Sequence, residues 1–141
     1  MNNQKLAVRE KIITIKNVKY KIGKLDARSA SYLAMKMAAI IAPFIGKGSK
    51  NIDESRMAEV LPNIPRSEFD QIQTMLLRKA YKLRPVGDAD MPEPILRADG
   101  SFVDDDMAYD AATVINLTVQ VLFFNIGDFF TAAGSMLNPE K

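Results

Sequence analysis

The stretch from Ala111 to Gly127 constrains the fold more than any other part of the chain, because it contains no charged residue. Its apolar residues and those that follow fall into two stripes when they are placed on a helix. The broad stripe comprises Ala111, Ala112, Ile115, Val119, Leu122, Phe123, Ile126, Phe129, Phe130, Ala133 and Leu137. The second stripe, roughly opposite, comprises Val114, Leu117, Val121 and Phe124. A helix of a small domain needs to bury only one stripe, so other parts of the chain or another molecule must cover the second.

Two other structures compete for this stretch. A transmembrane helix is disfavoured, because amide and hydroxyl side chains interrupt the apolar run and acidic residues rather than Lys or Arg flank it. A β-strand would suit residues 115–121, where largely β-branched apolar residues alternate with polar ones. The helical pattern persists through Phe130 and Ala133, beyond ordinary strand length, and therefore favours a helix over residues 106–137.

The residue types in the chain exclude several kinds of chemistry. Its 141 residues include no cysteine and no histidine, which removes cysteine nucleophiles, Ser-His-Asp triads and nearly all zinc sites. An apolar content of 48% and a charged content of 26% are typical of one soluble globular domain. The polar N-terminus does not read as a signal peptide. We therefore expect a single-domain, non-enzymatic, cytoplasmic protein with no cofactor and no metal.

Charge is distributed unevenly along the chain. Residues 1–50 contain eleven Lys and Arg against two acidic residues, a net charge of +9. Residues 85–141 contain two Lys and Arg against ten acidic residues, a net charge of −8. The oppositely charged ends attract each other, either when the two ends of one molecule pack together or when copies of the protein meet head to tail.

Residues 11–25 predict a β-hairpin. Apolar residues alternate with Lys19 and Lys21 in its second half, and Asn17 tolerates the left-handed conformation of a tight turn. The hairpin carries five lysines: Lys11, Lys16, Lys19, Lys21 and Lys24. They suggest either a phosphate-binding surface or an exposed sheet face protected from edge-to-edge pairing. The second interpretation is favoured, because no aromatic stacking platform accompanies the lysines.

Three further helices are predicted, over residues 26–45, 54–61 and 67–83. Asp26 stands at an N-cap position for the first, and Ser67 begins a sequence resembling a capping box for the third. The helices are expected to share one core. Its predicted members are Leu33, Met37, Ile40, Phe69, Ile72, Leu76, Ile115, Val119, Leu122, Ile126, Phe129 and Phe130.

Residues 46–53 and 84–105 are predicted to be flexible or irregular connectors. The second is rich in proline, although its Asp99-Gly100 pair predicts a short hairpin turn. The acidic run Asp104–Asp106 that follows lacks the spacing of an EF-hand calcium loop. Asp105 or Asp106 is therefore expected to cap the final helix.

Placed together, these segments resemble the tail assembly chaperones of long-tailed bacteriophages and related prophages. The resemblance runs through Tyr20–Asp26 at the end of the hairpin, the alanine-rich first helix and Phe69–Ile72. It is closest in Phe123–Phe130, which reads FFNIGDFF. The resemblance covers most of the chain and rests on pattern and order rather than on one invariant motif.

The resemblance implies a mostly helical, non-enzymatic protein that acts in the host cytoplasm and is absent from the finished virion. Such chaperones coat the tape measure protein, keep its hydrophobic helices soluble and help to recruit major tail tube subunits. Many are also made in a longer, frameshifted form. A chaperone of this kind needs an exposed apolar surface. The second stripe is the candidate client-binding site, and burial of that stripe between the other helices is the alternative.

The sequence thus predicts a mainly α fold: a small helical bundle with a short N-terminal β-hairpin and a long apolar C-terminal helix. The predicted function is that of a phage tail assembly chaperone that binds the tape measure protein and the major tail tube protein. Self-association is compatible with both the charge split and the second stripe, and no membrane partner is expected. Two other functions stay open, a structural tail component retained in the virion and a nucleic-acid-binding regulator that uses the lysine-rich hairpin.

Overall fold

The described part of the chain forms a four-stranded antiparallel sheet and three α-helices. The computed structural model describes the backbone of residues 9–45 and 61–137 and the side chains of residues 9–38 and 62–127. The strands, in spatial order, are β1 (Glu10–Ile15), β2 (Val18–Gly23), β3 (Ala80–Val86) and β4 (Ala89–Pro94). The helices are α1 (Ala27–Ile45), α2 (Arg66–Leu77) and α3 (Ala111–Leu137). Both α1 and α2 pack against α3, which in turn packs against β2.

The prediction of a mainly helical bundle is wrong, because the protein has an α+β fold. The helix predicted over residues 67–83 ends at Leu77, and the chain continues from Ala80 as β3. The region 84–105, predicted to be irregular, contains the end of β3 and all of β4. Ala80 and Leu83 continue the apolar spacing of α2, so local periodicity alone did not distinguish the strand from a longer helix.

Tight turns close both hairpins. In the hairpin predicted at residues 11–25, Ile15 pairs with Val18 across Lys16 and Asn17, which have φ angles of 52° and 68°. Two successive positive φ angles are the signature of a type I′ turn. Val86 pairs with Ala89 across Gly87, whose φ is 61°. The shorter pairing predicted across Asp99-Gly100 is confirmed by an antiparallel bridge between Leu96 and Phe102.

The helices begin at different kinds of cap. The Ser29 amide donates to Asp26 Oδ2 at 3.0 Å, so Asp26 caps α1 as predicted. The capping box predicted at Ser67 is wrong, because α2 begins after Pro65 with no side-chain cap. The helix predicted over residues 54–61 and the connector 46–53 lie outside the described residues, apart from Leu61, which begins a 3-10 turn.

Asp110, rather than Asp105 or Asp106, caps α3. Its carboxylate accepts hydrogen bonds from the Thr113 amide at 3.1 Å and the Thr113 hydroxyl at 2.7 Å. Lys16 Nζ lies 3.2 Å from the same carboxylate, which joins the basic N-terminal part of the chain to the acidic C-terminal part. The predicted cap was placed too early because Met107–Tyr109 forms a separate 3-10 turn before α3.

We expect acid to weaken the fold at the Asp110 cap. Hydrogen bonds from Thr113, with a further contribution from Lys16, hold the pKa of Asp110 below its ordinary value of 3.8. A carboxylate with a lowered pKa in the folded state stabilises the fold above its unfolded pKa, and this contribution disappears as the pH falls through the folded value. Asp110→Asn keeps a capping side chain without the titration. Its melting temperature should therefore fall less steeply with pH below about 4 than that of the wild type. Equal slopes in thermal melts over this range would contradict the assignment.

One apolar core joins the helices to the inner face of the sheet. Its buried members come from β1, β2 and β3, from all three helices and from the segment after β4. Side chains that are fully buried are Ile22, Leu33, Met37, Leu76, Leu117, Leu122, Ile126, Val121 and Thr118. The inner face of the sheet is therefore covered by helices, whereas its outer face is open to solvent along β1, where Ile12 is 59% exposed.

Candidate binding surfaces

The second stripe of α3 lies mainly in the core. Leu117 and Val121 are fully buried, and Val114 and Phe124 are partly buried against the same core. The expectation that this stripe offers an exposed client surface is therefore wrong for Leu117 and Val121. The reason is that the sheet and the other two helices enclose α3 from several sides. Leu117 and Val121 therefore do not contribute to a client surface on the described part of the chain.

The broad stripe of α3 is only partly buried. Val119, Leu122 and Ile126 belong to the core, as do Leu33, Met37, Ile72 and Leu76 of the other helices, while Phe69 packs against it. Ile115 is 38% exposed, so its predicted place in the core is wrong. Thr113 and Leu117 in the same turns are buried, so Ile115 lies on the side of α3 that faces away from the core. The side chains of Ile40, Phe129 and Phe130 lie outside the described part of the chain.

Asn125 fastens α3 to the junction between β2 and α1. Its Oδ1 accepts a hydrogen bond from the Leu25 amide at 2.7 Å. Its Nδ2 donates to the Gly23 carbonyl oxygen at 3.2 Å and to the Val121 carbonyl oxygen at 2.9 Å. The partly buried Asn125 side-chain amide thus provides hydrogen-bond partners for the main-chain groups of Gly23 and Leu25, at the connection between β2 and α1. Asn125 belongs to the motif FFNIGDFF, in which the family resemblance is closest.

Two lysines of the hairpin cover Phe124 next to this amide. Lys24 Nζ lies 4.3 Å from the centre of the Phe124 ring and Lys11 Nζ lies 5.7 Å from it. Lys24 also donates a hydrogen bond to the Phe124 carbonyl oxygen. These contacts place cations over an aromatic face that is still partly accessible to solvent. Phe124 is therefore engaged within the chain.

A second polar contact connects α2 with α3. The Thr118 hydroxyl, which is fully buried, accepts a hydrogen bond from Gln73 Nε2 at 3.1 Å and donates one to the Val114 carbonyl oxygen at 2.8 Å. Its hydrogen-bonding capacity is met inside the core. The polar residues that interrupt the apolar run of α3 therefore include two, Thr118 and Asn125, that position it against its neighbours.

The lysines of the hairpin do not converge on one surface. Lys16 pairs with Asp110 at one end of α3, and Lys24 and Lys11 lie over Phe124 on the helix side. Lys21 lies on the opposite face, 3.7 Å from Glu10 and 5.8 Å from the Tyr81 ring centre. The described hairpin lysines with printed contacts therefore divide between the two faces of the sheet and the start of α3.

A polar cleft lies beside β3 and β4. It has a volume of about 450 Å³ and is lined by Lys82, Arg84, Glu93, Val103, Asp104, Asp105 and Asp106. Lys82 pairs with Asp104 at 3.0 Å, and Arg84 pairs with Glu93 at 3.2 Å. The hydrogen bond from Lys82 is the main reason why the pKa of Asp104 is lowered. Within the described ranges, no group of three or more acidic residues is arranged to hold a metal ion.

The exposed apolar surface of α1 is the strongest candidate for binding a partner. Tyr32 is 54% exposed and Met35 is 67% exposed, and their spacing of three residues places them on one face of the helix. Lys36 on the same helix lies 5.9 Å from the Tyr32 ring centre and 3.3 Å from Glu68 of α2. Since Leu33 and Met37 are fully buried, the opposite side of α1 is fixed in the core. A rigid helix thus presents an aromatic and a flexible thioether side chain to solvent.

These features describe an α+β protein in which a long apolar helix lies between a four-stranded antiparallel sheet and two other helices. The chain belongs to the phage tail assembly chaperone protein family (TAC), whose model matches residues 16–138. The family resemblance inferred from the sequence is therefore confirmed. Neither a curated protein nor a solved structure matches the chain at a significant level. Among the described residues, no helix has the length and apolarity needed to span a bilayer.

Sequence reasoning missed the α1 surface because α1 was interpreted only through its core-facing residues. The signal was present, since Tyr32 and Met35 are large apolar residues that do not belong to the predicted core of that helix, Leu33, Met37 and Ile40. Large apolar residues on the polar side of an amphipathic helix are informative when they are adjacent on that side. The hydrogen bonds of Asn125 to the Leu25 amide and the Gly23 carbonyl oxygen had no comparable sequence signal. Their partners are main-chain groups about one hundred residues earlier in the chain.

Proposed function

We propose that the protein binds the tape measure protein in the host cytoplasm, keeps its hydrophobic helices soluble and helps to recruit tail tube subunits. Membership of the tail assembly chaperone family over residues 16–138 is the observation that carries this proposal. It is also supported by an exposed apolar surface on a helix whose other side is fixed in the core. The absence of cysteine and histidine fits a role in binding rather than in nucleophilic catalysis.

The proposed client contact is the exposed face of α1, formed by Tyr32 and Met35. An amphipathic client helix binds such a face through apolar anchors spaced by three or four residues. Methionine adapts its shape to different neighbours, and tyrosine combines a large apolar ring with a polar hydroxyl. Both properties suit a long client that presents many similar but unequal helical segments.

We expect Met35→Asp to reduce co-purification of the tape measure protein by roughly tenfold or more, because a carboxylate replaces an apolar anchor at the interface. The side chain is 67% exposed, so the melting temperature should change little. The measurement is recovery of an affinity-tagged chain with its co-expressed client. Met91→Asp is the matched control, since Met91 is 53% exposed on β4, away from α1. Equal losses in the two variants would argue against α1 as the contact.

A structural tail component retained in the particle is the competing function. Mass spectrometry of purified virions distinguishes the two, because a chaperone should be missing from the particle and a structural protein should be present in a fixed copy number. Detection of this chain in stoichiometric amounts would contradict the chaperone proposal.

A further inference from the structure

The outer edge of β1 has main-chain hydrogen-bonding groups available for another strand. The Lys24 amide donates to the Arg9 carbonyl oxygen at 2.9 Å, and hydrogen-bonded pairs alternate along an antiparallel ladder. Lys11, Ile13 and Ile15 therefore bond to β2. Glu10, Ile12 and Thr14 direct their main-chain N–H and C=O groups away from the sheet. Within the described part of the chain, no strand pairs with this edge.

The opposite edge of the sheet is protected by proline. The Ile95 amide donates to the Ala80 carbonyl oxygen, so the alternate residues Asp90, Pro92 and Pro94 face outward on β4. Proline has no N–H, and two of these three outward positions therefore offer no donor to a further strand. Proline at an edge is a common way to prevent strand addition. No such protection occurs on β1.

The lysines near β1 do not protect its edge either. Lys11, the lysine of this strand, extends over the Phe124 ring on the helix side. Lys21 belongs to β2 and contacts Glu10 and Tyr81. The outer-face side chains of β1 are then Glu10, Ile12 and Thr14, and Ile12 at their centre is 59% exposed. Neither Lys11 nor Lys21 therefore extends beyond the outer edge of β1.

The sequence of β1 is complementary to itself in one antiparallel register. When Ile12 lies opposite Ile12 of a second copy, Glu10 lies opposite the Thr14 position and Lys11 opposite the Ile13 position. No like charges then face each other directly, and the exposed isoleucines cover one another. Lys19 lies beside Thr14 on β2, so it approaches Glu10 of the other copy across one intervening strand. A shift by one pair that centred the contact on Lys11 would bring two lysines face to face.

We propose that two copies of the chain associate through β1, with Ile12 on the two-fold axis, to form one continuous eight-stranded sheet. The contact is isologous, as is usual for homodimers. Its residues are distinct from Tyr32 and Met35, which form the α1 surface. The proposal is independent of client binding, and its readout is the oligomeric state of the purified chain.

Cysteine cross-linking tests both the contact and its register, because the native chain contains no cysteine. Hydrogen-bonded antiparallel partners have Cα atoms about 5.5 Å apart, a separation that suits a disulfide. Ile12→Cys should therefore give a disulfide-linked dimer under mild oxidation. Thr14→Cys is the matched control, since two copies of this residue would be roughly 13 Å apart along the strands. Equal cross-linking of the two variants would overturn the register.

Sedimentation of the unmodified chain provides the second measurement. The wild type should show a monomer–dimer equilibrium that depends on concentration, and Ile12→Pro should abolish the dimer. The Ile12 amide faces outward, so proline removes an intermolecular donor while the β1–β2 hydrogen bonds are retained. A circular dichroism spectrum equal to that of the wild type would verify the fold of the variant. A wild-type chain that stays monomeric from micromolar to millimolar concentration would overturn the proposal.

Discussion

Leu117→Asp is expected to abolish the folded state. Leu117 is fully buried in the first third of α3, and its side chain faces the common core. The substitution removes a large apolar side chain and leaves a carboxylate in a site without a counter-charge. The combined cost exceeds about 5 kcal/mol. This is comparable with the whole stability of a small domain, which is about 5–15 kcal/mol. Loss of the cooperative thermal transition and of most of the far-ultraviolet circular dichroism signal is the predicted measurement.

Ile115→Asp is the matched control for this variant. It places the same charge on the same helix, but at a position that is 38% exposed and close to the positive N-terminal end of the helix dipole. Its free energy of unfolding should differ from that of the wild type by less than about 1 kcal/mol. A folded Leu117→Asp protein with a melting temperature near that of the wild type would show that the second stripe is accessible after all.

Asn125→Leu is expected to lower the free energy of unfolding by about 2–4 kcal/mol. The variant keeps an apolar side chain of similar size but leaves the Leu25 amide and the Gly23 carbonyl oxygen without their partner. Both groups lie at the junction where β2 becomes α1, so the loss should loosen the attachment of α3 to the sheet. Chemical denaturation measures the change, and hydrogen exchange at the Leu25 amide should accelerate.

The same substitution at an exposed position separates the effect of losing the Asn125 hydrogen bonds from a general effect of introducing leucine into α3. Asn116 lies on the exposed side of α3 and accepts a hydrogen bond from Gln120 at 3.2 Å. Asn116→Leu should change the free energy of unfolding by less than about 0.5 kcal/mol. Similar losses at both positions would indicate that the Asn125 hydrogen bonds do not stabilise the attachment.

Local signals in the sequence predicted those elements whose pattern is decided within a few residues. The alternation around Tyr20 and the tight turn at Asn17 predicted the first hairpin, and Asp26 predicted the start of α1. The long apolar run predicted α3, although it did not predict which stripe would face the sheet. That choice depends on how α3 is oriented by Asn125 and Thr118, whose partners are far away in sequence.

The second hairpin was missed because two local signals disagreed. The segment contains three prolines, Pro85, Pro92 and Pro94. They suggested an irregular structure, since proline disrupts central strands. Gly87-Asp88 is nevertheless a typical two-residue hairpin turn, and the glycine supplies the positive φ that such a turn requires. The prolines of β4 are tolerated because it is an edge strand. β4 lies at the edge because the other side of β3 pairs with β2, a long-range pairing that no local signal indicates.

The two surfaces proposed here have separate structural supports. The α1 surface depends on a helix fixed by Leu33 and Met37, whereas the β1 edge depends on the alternation of hydrogen bonds in the first hairpin. A dimer formed through β1 would carry two copies of the α1 surface on one rigid assembly. Two linked sites of this kind raise the effective concentration of the second contact on a long client.

Co-expression with the tape measure protein tests whether the chain acts as its chaperone. The measurement is the fraction of tape measure protein that remains in the supernatant after high-speed centrifugation of the lysate, with and without this chain. We expect the tape measure protein to be largely insoluble alone, and to become soluble and co-elute with the chain when both are made together. A tape measure protein that stays insoluble beside abundant, folded chain would contradict it.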